Sequence, residues 1–126
     1  SVADALLAVH RSYVPSLVPV LGQVHALAHI TGGGIAGNLV RVLPGHVRGV
    51  VNPGAWEWPP LFQFLERAGQ VGVDEMREVF NLGIGMIAVL PPTAVDLARA
   101  AARAAGVETW VIGEVHAGPR EVRFAT

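Results

Sequence analysis

Cysteine and lysine are both absent from the 126 residues. Without Cys there is no disulfide, no thiolate zinc site and no thiol nucleophile. Without Lys there is no Schiff-base chemistry and no P-loop phosphate contact. All nine basic residues are therefore arginine. Charge is scarce, at 15% of residues, while 52% are hydrophobic, the reverse of a disordered chain. The net charge of −1 leaves no electrostatic footprint for nucleic acid or an anionic membrane. No apolar run approaches the roughly 18 residues of a membrane-spanning helix. Ser1 to Ala8 carries Asp4 and no basic residue, unlike a signal peptide, so a cytoplasmic placement is expected.

The length suits one domain with a real core. The mean hydropathy of +0.46 is high for a solitary soluble domain. Two explanations stand: a core rich in Ala and Val, or a face that normally lies against something else.

Hydrophobic spacing divides the chain into short elements separated by Gly and Pro. Helices are expected over 2–9, 15–23, 34–43, 60–68, 73–79 and 93–105. Pro60 suits a first helical turn and Gly69 the position after the last. Thr93 with Asp96 reads as a capping box, and Gly106 as the terminator of that helix. Strands are expected over 25–30, 47–51, 84–90, 109–115 and 121–125, the last two turning at Gly118-Pro119. This order predicts an α+β layered fold, one mixed sheet covered by helices.

One constellation invites chemistry. His29-Ile30-Thr31-Gly32-Gly33-Gly34 runs from a buried strand through three glycines into a helix. Glycines admit close backbone approach, and a helix start presents free N–H groups, so the loop is a candidate phosphate site. Strand alternation puts His25, Leu27, His29 and Thr31 on one face, with His29 and Thr31 beside the loop. His25 and His29 are about 13 Å apart along a strand, too far to share a metal ion.

A second constellation, Phe80-Asn81-Leu82-Gly83-Ile84-Gly85-Met86, places two glycines at the entry to a strand. On spacing alone it reads as a helix C-cap with Asn81 in the left-handed conformation, followed by a bulge. Trp56 and Trp58 among prolines read as a packed loop, Asp74-Glu75 as helix-start acids, and Arg99 and Arg103 as a solvated helix face.

The run His25 to Gly34, then Asn38 and Arg41-Val42-Leu43-Pro44, resembles a signature of the AIR synthetase (phosphoribosylformylglycinamidine cyclo-ligase) family. Phe62 and Glu75-Met76 fit that pattern, and Phe80 to Met86 is similar to the second signature. Ala26, Gly37 and Leu82 depart from it, where glycine, an acid and methionine are usual.

The resemblance covers nearly the whole chain but only the C-terminal domain of that family. It implies a missing N-terminal domain that carries the acidic Mg-ATP site, so the fragment alone should be inactive. The implied reaction closes formylglycinamidine ribonucleotide to aminoimidazole ribonucleotide in purine biosynthesis, using ATP and Mg. The implied catalytic residue is His29. The implied substrate and phosphate contacts are Thr31, Gly32, Gly33, Gly34, Asn81, Gly83 and Gly85, with no metal ligand in this chain. A homodimer is implied for the whole enzyme. Alternatives are another ATP enzyme of the same superfamily (selenophosphate synthetase, thiamine-monophosphate kinase, hydrogenase-maturation factor or formylglycinamidine ribonucleotide synthase) or a non-catalytic phosphate-binding or assembly module.

Overall fold

The computed structural model describes residues 1–126. Helices and strands alternate around one apolar core, as an α+β fold should. Five strands form: β1 (Ala26–His29), β2 (Val47–Val51), β3 (Met86–Val89), β4 (Gly113–Ala117) and β5 (Glu121–Phe124). The helices are α1 (Val2–Leu6), α2 (Val14–Leu17), α3 (Gly34–Leu39), α4 (Pro60–Gly69), α5 (Val73–Val79) and α6 (Val95–Ala104).

The expected single sheet is instead two. β1 and β3 form an antiparallel ribbon, with His29 opposite Met86. β2 lies between antiparallel β4 and parallel β5 in a three-stranded sheet. The 3-10 turn Val40–Val42 packs beside β1, and a cavity separates β3 from β2 and β4. No strand bridges the two sheets.

The expected strand over 109–115 is likewise shifted to 113–117. β2 runs out at Asn52-Pro53, and the Asn52 N–H to Ile112 carbonyl bond (2.7 Å) is the last link toward 109. Further back, Arg99 Nε donates to Thr109 Oγ1 (3.1 Å) and Arg99 Nη2 to its carbonyl (3.2 Å). Arg99 is thus a tether between α6 and this segment rather than a purely solvated group.

Helix ends differ from expectation for local reasons. Pro91-Pro92 brings the chain into α6 through a 3-10 turn, so the N-cap falls on Ala94 and Thr93 with Asp96 forms no capping box. Gly106 does end α6, with φ +76° and its N–H on the Arg103 carbonyl. Gly69 stays helical, and Gln70 takes the left-handed conformation (φ 51°). The helices over 2–9 and 34–43 are shorter, ending at Leu6 and Leu39, the latter followed by the 3-10 turn.

The core joins Ile30, Ile35, Leu39, Val51, Trp56, Met76, Leu82 and Ile87. α3 is its hub, because Gly34, Ile35, Asn38 and Leu39 are all buried. On the outer face of the three-stranded sheet, Arg48 Nε lies 2.6 Å from Glu121 Oε1, a charge contact without hydrogen-bond alignment at Nε. Exposed apolar side chains gather elsewhere, chiefly over residues 2–21 and at Trp110, Val111 and Val115.

Gly34 fixes how α3 enters. It has φ +67°, and a Cβ there would overlap the Arg77 carbonyl oxygen and meet the Phe80 carbonyl oxygen at 3.3 Å. Backbone lies on both sides, so no rotamer change relieves the clash. Gly32 differs: its φ is unstrained and a Cβ would meet nothing within 4 Å. Gly34→Ala is therefore expected to destabilise by about 3 kcal/mol or more, summing strain and overpacking. Gly32→Ala should stay within about 0.5 kcal/mol of the parent. Urea denaturation of the two variants distinguishes them, and equal losses would remove the close-approach argument.

Candidate functional site

The antiparallel register of the ribbon brings the two glycine blocks together. The C-terminal end of β1 leads into Thr31 to Gly34, and the N-terminal end of β3 follows Asn81 to Gly85. The Ile30 N–H donates to the Gly85 carbonyl (2.9 Å), extending the pairing to the junction of the blocks. Gly34 packs against the end of α5, directly before Asn81. Residues about fifty positions apart thus share one end of the ribbon.

The first block is held from inside by Asn38. Its Nδ2 donates to the carbonyls of Thr31 (3.1 Å), Gly32 (3.3 Å) and Gly34 (2.8 Å). Its Oδ1 accepts the Thr31 hydroxyl proton at 3.3 Å. The Gly34 N–H closes a turn onto the Thr31 carbonyl (3.2 Å), while the N–H groups of Gly32 and Gly33 bond to no protein group. Three carbonyls are consumed by one buried carboxamide, and two exposed glycines keep free donors. Donors without acceptors suit an anion. Asn38 was visible in the sequence only as part of a signature. Its stapling role carries no sequence signal of its own, since a buried Asn bonding to several carbonyls depends on the fold.

Thr31 is exposed, but its hydroxyl is engaged with Asn38, so it does not add a free donor to the loop. His29 is exposed beside the loop, as strand alternation requires with Ala28 and Ile30 buried. Its ring meets that of His10 edge-on, centroids 5.2 Å apart. His25 sits at the other end of the strand and takes no part. The chain brings no three His, Asp or Glu side chains together that could hold a metal ion.

The second block is a tight turn rather than a C-cap with left-handed Asn81. The Ile84 N–H reaches the Asn81 carbonyl (3.0 Å) across Leu82 (φ 55°) and Gly83 (φ 93°). Two successive positive φ values are the sign pattern of a type I′ turn. Asn81 Oδ1 accepts from the Gly83 N–H (2.9 Å), so this donor is consumed by the turn. Leucine in this conformation is uncommon. It persists because its side chain is buried and Trp56 Nε1 donates to its carbonyl (2.9 Å). Gly83 is obligatory: a Cβ would come within 2.6 Å of the Pro59 ring. Gly85 lies directly under the Tyr13 hydroxyl. Asn81, Gly83 and Gly85 therefore serve the turn and its packing under Pro59 and Tyr13, while Gly32 and Gly33 present free donors.

Replacing Asn38 tests the staple. Asn38→Asp places a carboxylate among three carbonyl oxygens and is expected to destabilise more than Asn38→Ala. The alanine variant should lose roughly 2–3 kcal/mol, from several bonds of about 1 kcal/mol each. Chemical denaturation measures both; an aspartate variant as stable as the parent would show that Asn38 does not organise the loop.

Residues 1–125 match the family described as AIR synthase related protein, C-terminal domain. The phosphoribosylformylglycinamidine cyclo-ligase of Anaeromyxobacter dehalogenans is 45% identical over 120 residues, covering 94% of this chain and 35% of the relative. The protein of the same name from Coxiella burnetii is 40% identical over 123 residues, covering 96% of this chain and 35% of the relative. The chain thus spans about a third of the length of the curated relatives it matches. With a match running from end to end, and both glycine blocks joined at one ribbon end, the chain belongs to the AIR synthase related C-terminal domain family.

Proposed function

We propose that this chain is the C-terminal part of an ATP-dependent cyclo-ligase that converts formylglycinamidine ribonucleotide to aminoimidazole ribonucleotide. One observation carries the reading beyond the relatives' names: the free N–H groups of Gly32 and Gly33 lie beside an exposed histidine at the ribbon end. In this reading the two amides hold a phosphate of the substrate or the nucleotide. His29 is close enough in the chain to move a proton at the reacting amide or to stabilise charge there.

Mg2+ does not fit the residues present, since no carboxylate cluster exists to hold it. No step is assigned to it in this chain, and the Mg-ATP site belongs to the remainder of the polypeptide. That remainder, and the pairing of two such enzymes, would cover part of the exposed apolar surface. The purine pathway's place in the cytoplasm would follow from the same assignment.

The test joins residues 1–126 to the N-terminal part of a cyclo-ligase relative and measures ADP release dependent on formylglycinamidine ribonucleotide. Absence of such release in a folded protein would count against the reading. Two variants then resolve the site. Gly32→Val adds bulk in front of the amides without left-handed strain, so KM or binding should weaken at least tenfold while the melting temperature holds. Gly33→Val is a poorer probe because φ is +99° there. His29→Gln should lower kcat by about 10²-fold or more, the usual contribution of a positioned proton carrier. A parent-like kcat in His29→Gln would remove that residue from the chemistry.

A further inference from the structure

Strand β4 differs from the other four in that every residue, Gly113 to Ala117, is exposed. It is an edge strand, paired with β2 on one side only. The opposite edge of that sheet, β5, has α3 packed on it. An open edge invites another strand, and folded proteins usually guard it with lysine, proline or a bulge. None of these guards β4. The chain has no Lys, and no proline lies between Pro92 and Pro119. The register with β2 runs from Val51–Gly113 to Val47–Ala117 without a skip.

The ladder to β2 shows which main-chain groups are free. At its ends the Asn52 N–H donates to the Ile112 carbonyl (2.7 Å) and the Gly118 N–H to the His46 carbonyl (2.9 Å). Antiparallel bonding alternates, so the even-numbered residues of β4 bond to β2. The N–H and C=O groups of Gly113, Val115 and Ala117 therefore point away from the sheet. Glu114 and His116 stand together on its outer face, 3.2 Å apart.

This edge is complementary to itself. An antiparallel pairing centred on Val115 sets Gly113 against the partner's Ala117 and Val115 against the partner's Val115, each with outward main-chain groups. Those are hydrogen-bonded pairs. Glu114 then falls opposite the partner's His116 in a non-hydrogen-bonded pair, where side chains lie closest. The adjacent registers with the same alternation set Glu114 against the partner's Glu114, or His116 against the partner's His116. Charge thus selects the register centred on Val115. Val115, 41% exposed, gains an apolar neighbour at the two-fold axis. Pro119 has no N–H to offer opposite the partner's Val111, so the pairing stops after five residues.

We propose that β4 is a self-association strand, at which two copies of this chain join their three-stranded sheets antiparallel about Val115. The proposal is independent of the cyclo-ligase reading, because it uses neither His29 nor the glycine blocks.

Sedimentation velocity of the 126-residue chain at rising concentration tests it. A dimer with a dissociation constant of roughly 10–500 μM is expected, in keeping with a short interface. Val115→Pro removes an outward N–H and no bond to β2, so it should weaken the dimer at least tenfold while the melting temperature holds. Glu114→Lys and His116→Glu should each weaken it about fivefold or more, by removing opposite charges or facing like ones. Mixed together, these two variants should form a heterodimer near the parent's affinity, because Lys then faces Glu and His faces Glu. A pairing of Glu114 with His116 inside one chain cannot produce that rescue. Leu7→Ser, in the other exposed apolar stretch, should leave the dimer unchanged. The proposal is overturned by a chain that stays monomeric at about 1 mM, well above that range. It is equally overturned by a dimer that Val115→Pro leaves intact, by one that Leu7→Ser dissolves, or by charge variants that do not rescue each other.

Discussion

The start of α3 rests on backbone. Gly34 lies so close to the carbonyls of Arg77 and Phe80 that only a hydrogen fits between them. That contact joins the entry of α3 to the exit of α5, and so fixes Thr31 to Gly34 relative to Asn81 to Gly85. The antiparallel pairing of β1 with β3 sets the same relation from the other side, through the Ile30 to Gly85 bond. Two constraints of different kinds therefore hold one geometry. Ile35 and Met76, both fully buried, fill the space behind the contact.

The site that results is made of main chain more than of side chains. Asn38 draws the carbonyls of Thr31, Gly32 and Gly34 to one interior point, and the amides of Gly32 and Gly33 are left unpaired. Asn81 closes the opposing turn by taking the Gly83 N–H. The two asparagines do opposite things with the same group: one gathers carbonyls as a donor, the other consumes an amide as an acceptor. The net effect is a polar end of the ribbon with spare donors and no charged residue of its own, where an anion gains from oriented amides rather than from a cation.

Much of this was legible in sequence, for physical reasons that can be named. Val47–Val51 is readable because β-branched residues favour a strand, and Val73–Val79 because its helical spacing is anchored by the fully buried Met76, although Val73 and Val79 themselves are exposed. His29 and Thr31 are readable as neighbours on one face beside the glycine loop because strand alternation is strict. What escaped depends on partners distant in the chain. The strand after Thr109 starts late because β2 ends at a proline-bearing turn about sixty residues earlier. Leu82, not Asn81, takes the left-handed conformation because Trp56 and the core hold it there, against its local preference. Thr93 and Asp96 have the residues of a capping box, but Pro91-Pro92 leads in through a 3-10 turn that moves the N-cap one residue past Thr93, to Ala94, with Asp96 inside the first turn. The three glycines looked equivalent and are not: Gly34 is excluded from change by packing, Gly33 by its φ, and Gly32 by neither.

The segment before β1 ties these observations together. Leu7 and Val9 are 81% and 96% exposed, which a solitary domain has no reason to retain. Yet the same stretch sets His10 against His29 and Tyr13 over Gly85, and it carries Arg11 and Ser16 into the cavity lining. It is thus both the most exposed apolar part of the chain and the part laid across the ribbon end. Of the two explanations for the high hydropathy, the exposed residues favour a face meant to be covered, since Ala and Val in the core would not produce it. The relatives extend well beyond the 35% of their length matched here. In the proposed enzyme, any body that packed onto this segment would press on His10 and Tyr13 as well. Covering the apolar face and closing the site over His29 and Gly85 would then be a single structural event, because one short stretch of chain serves both.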